Sequence, residues 1–294
     1  MRIEIPDVRV RSPTVPAMPE ETPIEEQLRV EVEGGTARIT INRPEAGNSL
    51  TAHMRDSLAD IFEELSATLG VRAIVLTGAG ERHFCTGAGL GGPQNPTPPR
   101  PEGAPDRALG DVARMIRRGW QRLIGSILDC EKPVIAAVNG TAAGGGANLV
   151  LAADLVVMAD TARLIEVFVR RGIIPDAGGC YLLPRIVGPQ RAKEIMFFGD
   201  DLSAADAERY GIANRVVPAA DLAKASTEWA ERLATAPTKT IGMTKWLLNR
   251  SFESSRHSAF EEEAYAQEMV NATGDSAEGM KAFMERRSPE FKGW

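Results

Sequence analysis

Apolar and polar positions along the chain follow two alternating patterns. Short apolar runs between turn residues predict strands over residues 28–33, 36–42, 71–77, 133–138, 155–158 and 163–169. Apolar residues at helical spacing predict helices over residues 51–69, 106–128 and 191–198. Strand and helix units that alternate in this way are typical of an α/β fold.

The pattern changes towards both ends of the chain and in one internal segment. Residues 1–27 are rich in Pro and Glu without periodicity, which predicts a mobile N-terminal extension. Residues 91–105 contain six prolines and predict a loop. After Pro218 only helical spacing remains, and it predicts four helices, over residues 221–233, 239–249, 259–272 and 276–287. We therefore expect an extension (1–27), an α/β core (28–218) and a C-terminal helical region (219–294).

The most informative segment is a run of three glycines, Gly144, Gly145 and Gly146, between the strand at 133–138 and a second apolar stretch. A helix that begins at Gly145 or Gly146 directs unpaired N–H groups and its positive dipole end at whatever lies above them. Such a terminus can stabilise a developing oxyanion. Taken alone, tight packing explains the glycines equally well.

Two further segments favour a catalytic role for the glycine run over a role in packing alone. The strand at 71–77 leads into a glycine-dense loop over residues 78–89, which can also expose backbone N–H groups. Asp176 lies in a short turn after a third apolar run, where an Asp after Pro is also a common turn residue. Backbone donors combined with one carboxylate indicate chemistry next to a carbonyl group.

Composition narrows the class of protein. The chain has 294 residues, 43% of them hydrophobic, and its net charge of −6 argues against nucleic-acid binding. The apolar stretch 134–158 is interrupted by Asn139, Asn148 and Asp154, so it predicts a buried strand and helix and not a membrane span. Residues 1–7 lack the apolar segment of a signal peptide. Together with three widely spaced cysteines, which favour free thiols, this predicts a cytoplasmic protein.

Four motifs together resemble the crotonase superfamily, the enoyl-CoA hydratases and isomerases. They are Ile-Asn-Arg-Pro-Glu-Ala-Gly-Asn-Ser-Leu at 41–50, Phe-Cys-Thr-Gly-Ala-Gly-Leu at 84–90, Asn-Gly…Gly-Gly-Gly at 139–146 and Ile-Pro-Asp-Ala-Gly-Gly at 174–179. Their order and spacing match over nearly the whole chain. The resemblance implies a ClpP/crotonase-like spiral of ββα units with a C-terminal helical trimerisation region. It also implies an acyl-CoA thioester as substrate and a homotrimer or dimer of trimers.

The resemblance further implies roles for single residues. The oxyanion donors are the N–H groups of Ala88 and Gly145, and Gly87 and Gly144 lie beside them in the substrate site. No cofactor is implied, since coenzyme A is part of the substrate, and no metal site is expected from the scattered histidines. Hydratases of this family use two glutamates, whose positions here carry Asn148 and Phe168.

Asp176 corresponds to an Asp in relatives that shift double bonds, so we expect it to be the catalytic acid and base. Phe168 is expected to line the acyl pocket. Arg43 either binds the coenzyme A phosphates or is a surface cation. Phe291 and Lys292 either reach the coenzyme A of a neighbouring subunit or belong to a solvated tail.

Glu166 lies two residues before Phe168, which would place it on the same face of a strand. We interpret it as a structural or surface carboxylate more readily than as a substitute base.

The favoured function is a double-bond shift in an enoyl-CoA by way of a stabilised enolate, with Asp176 moving the proton. Three alternatives remain open. They are hydration of a 2-enoyl-CoA through Glu166 or Asp176, a catalytically silent acyl-CoA-binding subunit, and a nucleophilic Asp176. The resemblance suggests a place in fatty-acid β-oxidation, but a fatty chain, an aromatic ring and a sterol fragment all remain possible acyl groups.

Overall fold

The computed structural model describes residues 23–89 and 100–294. Its strands are β1 (Leu28–Glu33), β2 (Thr36–Ile41), β3 (Ala73–Gly78), β4 (His83–Cys85), β5 (Val134–Val138), β6 (Thr141–Ala143), β7 (Leu155–Ala159), β8 (Arg163–Ile165), β9 (Leu202–Ser203) and β10 (Arg215–Val217). Its helices are α1 (Ile24–Gln27), α2 (Ala52–Ala67), α3 (Asp111–Arg118), α4 (Trp120–Leu128), α5 (Gly145–Ala152), α6 (Gly179–Val187), α7 (Pro189–Phe198), α8 (Ala204–Arg209), α9 (Leu222–Ala234), α10 (Thr238–Arg250), α11 (Arg256–Asn271) and α12 (Gly274–Glu285).

The larger sheet has six strands in the order β1-β2-β3-β5-β7-β10. Only β1 and β2 pair antiparallel, as the tight turn at Gly34 and Gly35 allows, and the remaining pairs are parallel. Every residue of the central strand β5 is buried, as expected for a parallel strand covered on both faces. Helix α9 packs on this sheet, so the C-terminal region contributes directly to the core.

The smaller sheet has four strands in the order β4-β6-β8-β9, and its first three strands run parallel. The carboxyl ends of parallel strands meet at one edge of a sheet, where ligands of α/β proteins commonly bind. Strand β4 runs towards Gly87 and Ala88, and β6 runs directly into Gly144 and Gly145. The small sheet therefore brings both glycine segments to the same edge.

Two predicted elements are broken in the structure. The predicted strand over 163–169 ends at Ile165, and a 3-10 turn over Val167–Arg171 follows it. The predicted helix over 106–128 is interrupted at Gly119, whose φ of −105° and ψ of −104° separate α3 from α4. The α6 helix was not predicted, and it contains Pro184 in its interior.

The structure describes only part of two predicted segments, the N-terminal extension and the proline-rich loop. Residues 24–27 form α1 and residues 1–22 lie outside the described part, so the mobile extension over 1–27 stays a prediction. Of the predicted loop 91–105, residues 91–99 are likewise outside it. Within the described ranges, no helix combines the length and the apolar character that a membrane crossing requires.

Candidate active site

Gly145, whose N–H group is predicted to be an oxyanion donor, is the first residue of α5. Gly144 precedes the helix with a φ of 54° and donates its own N–H to the carbonyl of Ile165 at 2.9 Å. No described residue accepts a hydrogen bond from the Gly145 N–H. The donor is thus free at the positive end of a buried helix, where negative charge is favoured.

Close packing explains why this helix begins with glycines. A Cβ at Gly145 would lie 2.4 Å from a ring carbon of Trp120, and one at Gly146 would lie 1.9 Å from the carbonyl oxygen of Cys85. Neither position has room for a side chain. The indole of Trp120 therefore lies directly on the segment that carries the donor, a neighbour that the sequence did not predict.

Ala88 is held by the strand-like segment at Leu50. Leu50 donates its N–H to the carbonyl of Gly87 and accepts the N–H of Gly89, both at 2.9 Å. Leu50 forms its hydrogen bonds with Gly87 and Gly89, the residues on either side of Ala88. The N–H of Ala88 itself therefore points away from Leu50. A Cβ at Gly87 would lie 3.0 Å from the nitrogen of Gly145, so the two segments are adjacent. The segments that carry the two predicted oxyanion donors therefore lie side by side.

Asn48 shapes the loop before Leu50. It is fully buried with a φ of 54°, accepts the N–H of Arg43 at 2.9 Å and donates to the carbonyls of Ala79 and His83. The Arg43 guanidinium donates to the carbonyl of Ser49 at 2.9 Å and is half-buried. Asn48 thus fixes the loop that positions Ala88, a role that was not predicted.

Apolar side chains lie on the glycine segments at α5 and α6. The ring of Phe168 lies 3.8 Å from the position of a Cβ at Gly144, and Phe168 is buried. Ile124 lies 3.2 Å from the position of a Cβ at Gly178. With Trp120, these residues form apolar walls in which a hydrogen bond to an oxyanion is stronger than in water.

Asp176 lies in the turn that precedes α6. A Cβ at Gly179 would lie 2.6 Å from Oδ1 of Asn148 and 3.1 Å from Cβ of Pro175. The turn therefore packs on Asn148, which is one helical turn beyond Gly145. Asp176 is half-buried, and this burial raises the pKa of its carboxyl. A raised pKa suits a carboxylate that must both accept and return a proton.

Known families, proteins and structures resemble this chain over most of its length. Residues 31–294 match the family model described as enoyl-CoA hydratase/isomerase. The chain is 36% identical over 263 residues to 1,2-epoxyphenylacetyl-CoA isomerase of Escherichia coli strain K12, covering 89% of this chain and 97% of that protein. It is 36% identical over 266 residues to a probable enoyl-CoA hydratase of Rhodobacter capsulatus, covering 90% and 98%. The crystal structure of an enoyl-CoA hydratase from Bacillus anthracis superposes with a TM-score of 0.81 at 32% identity, covering 91% and 100%.

The chain belongs to the enoyl-CoA hydratase/isomerase family. Its fold is the crotonase fold, and the α/β prediction is confirmed. It is an enzyme of this family, whose members act on acyl-CoA thioesters.

The burial and the backbone conformation of Glu166 in this hydratase/isomerase differ from what we expected. We interpreted it as a structural or surface carboxylate; it is fully buried, so the surface alternative is wrong and the structural one remains. The strand ends at Ile165, and the alternation that related Glu166 to Phe168 therefore does not apply. Burial raises the pKa of Glu166 to about 8, and neither of its oxygens has a hydrogen-bond partner among the described residues.

The C-terminal pair is anchored through its main chain. Lys292 donates its N–H to Oδ1 of the buried Asp275 at 2.6 Å, and Arg72 donates to the carbonyl of Phe291 at 3.1 Å. These two hydrogen bonds hold the main chain of Phe291 and Lys292 in place, which contradicts the alternative of a freely solvated tail. The Lys292 side chain remains exposed, which is compatible with a role outside this subunit.

Proposed function

We propose that this protein shifts a double bond in an enoyl-CoA thioester, with Asp176 as the acid and base. The observation that carries the proposal is the half-buried Asp176 in the turn that packs on Asn148 of α5, where burial raises the pKa of its carboxyl. The two positions at which hydratases of the family carry glutamates hold Asn148 and Phe168. One carboxylate suffices for an isomerisation, whereas hydration must also activate a water molecule.

The reaction proceeds through an enolate. Asp176 takes a proton from the α-carbon of a 3-enoyl thioester, and the electron pair moves onto the thioester oxygen. The N–H groups of Ala88 and Gly145 stabilise that oxygen, and each such donor lowers the barrier by about 3 kcal/mol. The protonated Asp176 then returns the proton to the γ-carbon, and the double bond moves to the 2-position. No atom is gained or lost.

Substrate contacts follow the same proposal. Phe168, Gly144 and Gly87 line the acyl and thioester part, and Arg43 lies towards the coenzyme A phosphates. The name of the Escherichia coli relative supports an isomerase, and that of the Rhodobacter capsulatus relative supports hydration as the alternative. The protein needs no cofactor, because coenzyme A arrives with the substrate. We also propose that the protein is cytoplasmic.

We also propose a homotrimer, alone or as a dimer of trimers. Large apolar side chains on the C-terminal helices are exposed in the single subunit, and burial between subunits would remove them from water. They include Phe260, Met269, Met280 and Phe283. In such an assembly Phe291 and Lys292 would contact the coenzyme A of a neighbouring subunit.

The test is a 3-enoyl-CoA incubated with the enzyme in heavy water and followed by mass spectrometry. The wild type should give the 2-enoyl isomer, which gains deuterium at the γ-carbon whenever the protonated Asp176 exchanges with solvent before it returns the proton, and Asp176→Asn should be at least about 100-fold slower. Asp129→Asn removes an exposed carboxylate and serves as the matched control. Full activity in Asp176→Asn would overturn the proposal. A product heavier by one water molecule would assign hydration instead.

A further inference from the structure

The indole of Trp120 occupies the space that a side chain at Gly145 would need. A Cβ at Gly145 would lie 2.4 Å from Cη2 of Trp120 and 2.6 Å from Cζ2 and Cζ3. Trp120 is 9% exposed and is the first residue of α4, which packs on α5. The far edge of the ring therefore contacts the residue whose N–H group is a proposed oxyanion donor.

The residue before Trp120 also lies against a flat side chain. A Cβ at Gly119 would lie 2.5 Å from both Cζ and Nη1 of Arg55. The Arg55 side chain is 12% exposed, and its Nε and Nη2 lie 2.8 and 2.7 Å from Oδ1 of Asp56. The guanidinium is thus held by a carboxylate on its own helix and contacts the main chain immediately before Trp120.

The start of α2 contacts the supports of both donor segments. Leu50 precedes this helix and forms the hydrogen bonds that hold the segment of Ala88. Arg55 lies near the start of the same helix, and its N–H donates to the carbonyl of the N-cap residue Thr51 at 2.9 Å. The side chain of Arg55 reaches the segment of Gly145 by way of α4. One short piece of chain therefore supports both donors.

We propose that Arg55 and Trp120 are positioning residues that set the distance between the two oxyanion donors. The inference rests on the proposed function, because it takes the N–H groups of Ala88 and Gly145 as those donors. It adds a chain of contacts that runs from Arg55 to the main chain of Gly119, and through Trp120 to Gly145. Neither side chain has to touch the substrate for this role.

The distance between the donors matters because both must meet one oxygen atom. An oxyanion donor is effective when it lies about 2.7–3.1 Å from the position that the oxygen will occupy. A displacement of about 1 Å in a positioning group can slow a reaction about 100-fold. Gly145 has no side chain to anchor it, so its position depends on the groups that pack against its main chain. These are the indole of Trp120 and Gly87, where a Cβ would lie 3.0 Å from the Gly145 nitrogen.

The two side chains are suited to fixing a position. An indole has only two side-chain torsions, and a guanidinium is a planar group. A smaller side chain at Trp120 would leave a cavity beside Gly145, and the surrounding structure relaxes partly into such a cavity. The N-terminus of α5 would then move relative to the segment of Ala88, which Leu50 continues to hold.

The test measures the polarisation of a bound thioester carbonyl without turnover. Butyryl-CoA labelled with carbon-13 at the carbonyl has no double bond to shift, and isotope-edited infrared spectroscopy gives its carbonyl stretching frequency when the enzyme is saturated. Two donors at the oxygen should lower this frequency in the wild type relative to the free thioester. Trp120→Leu and Arg55→Met should each lose at least about half of that lowering, because a displaced donor forms a weaker hydrogen bond. The conservative variants Trp120→Phe and Arg55→Lys should retain more of it.

Steady-state kinetics give a second measurement. With 3-hexenoyl-CoA, Trp120→Leu should lower kcat about 10- to 100-fold and change KM less than about threefold, because the lost interaction forms mainly in the transition state. Arg55→Met should have a smaller effect of the same kind. Since Arg55 acts through Trp120, the double variant should be no slower than Trp120→Leu alone.

Matched controls separate positioning from a general weakening of helix packing. Arg122 also joins α4 to α2, through Asp60 and Glu63, but these ion pairs are solvent-exposed. Arg122→Met should keep both the carbonyl frequency and kcat, as should Trp246→Phe, which alters an exposed indole on α10. A loss of frequency lowering in Arg122→Met as large as in Arg55→Met would overturn the proposal, because any contact between the two helices would then suffice.

Three other results would overturn the proposal. They are a frequency that is not lowered in the wild type, an unchanged frequency in both Trp120→Leu and Arg55→Met, and a raised KM with unchanged kcat in Trp120→Leu. The last result would mean that the ring binds the acyl group and does not position the donor. Because the infrared measurement involves no proton transfer, its result is independent of the activity of Asp176→Asn, which tests the proposed function.

Discussion

The cluster around Lys245 and the side chains of Asn148 and Glu166 are both buried and polar, yet they differ in how far their hydrogen bonds are satisfied. The Lys245 ammonium lies 2.8 Å from Oδ2 of Asp154 and also donates to the carbonyls of Ile127 and Lys132. The same Asp154 oxygen accepts the N–H of Val134. Asn148 and Glu166, by contrast, have no partner among the described residues.

The difference separates two uses of a buried polar group. The Lys245 cluster joins α10 to the start of β5 and has its partners within the protein, so it needs no ligand. Asn148 and Glu166 keep their polar atoms buried without a partner among the described residues, which costs stability. Saturation of hydrogen bonds thus distinguishes these groups where burial and polarity alone do not.

The largest expected effect comes from breaking the saturated cluster. Lys245→Met leaves Asp154 buried without its cation, and we expect a loss of about 3–5 kcal/mol in the free energy of unfolding. Lys239→Met removes an exposed partner of Glu131 and should cost less than about 1 kcal/mol. Urea unfolding at fixed protein concentration measures both. Equal losses in the two variants would contradict the structural role of Lys245.

A smaller effect of opposite sign is expected in the unsaturated cluster. Glu166→Met removes two unpaired buried oxygens and should raise the free energy of unfolding by about 1–3 kcal/mol at pH 8. The surface variant Glu194→Gln should stay within about 0.5 kcal/mol of the wild type. A loss of stability in Glu166→Met would show that the carboxyl supports the fold.

The gain in Glu166→Met should also depend on pH. The pKa of Glu166 is raised from 4.5 to about 8, so between these values the unfolded chain releases a proton that the folded protein keeps. The free energy of unfolding of the wild type therefore falls as pH rises through this window, by at most about 1.4 kcal/mol per pH unit from this group. The advantage of Glu166→Met should grow from pH 5 to pH 8 and then level off.

The smallest expected effect concerns Cys180. Burial, and in second place the Glu166 charge, raise the pKa of this exposed thiol. At pH 9 the Glu166 carboxyl is mostly ionised, so Glu166→Gln should increase the rate of Cys180 alkylation about threefold through a larger thiolate fraction. Peptide mass spectrometry distinguishes Cys180 from the buried Cys85 and Cys130. Identical rates in wild type and variant would place the Glu166 charge away from α6.

Local patterns predicted the parts of the fold that depend on local sequence. The strand β1 has the predicted bounds, and the helix at Gly145 begins where the glycine run indicated. Both features follow from apolar periodicity and from turn residues, which act over a few positions. The two glycine-rich segments are visible in the sequence, whereas the assignment of Ala88 and Gly145 as oxyanion donors comes from the resemblance to the family and stays a prediction.

Features that depend on distant contacts were not predictable in the same way. The apolar residues after Ile165 look like a continuing strand, but the chain turns there, and Gly199 packs against the Glu166 carbonyl and Val169. Carboxylates are rarely buried, so the environment of Glu166 could not be inferred from its position in the sequence. The contact of Trp120 with Gly145 likewise exists only once α4 packs on α5.

The close packing at Gly145 has a consequence for genetics. The proposed donors at residues 88 and 145 belong to the peptide bond, so no codon change other than one to proline can delete either of them. An alanine at 145 would collide with Trp120 and would report steric crowding, with the donor still in place. Replacing a single amide by an ester through chemical synthesis or an expanded genetic code would remove the donor itself. A conventional mutational scan of this protein would therefore overlook the atoms that we propose hold the enolate.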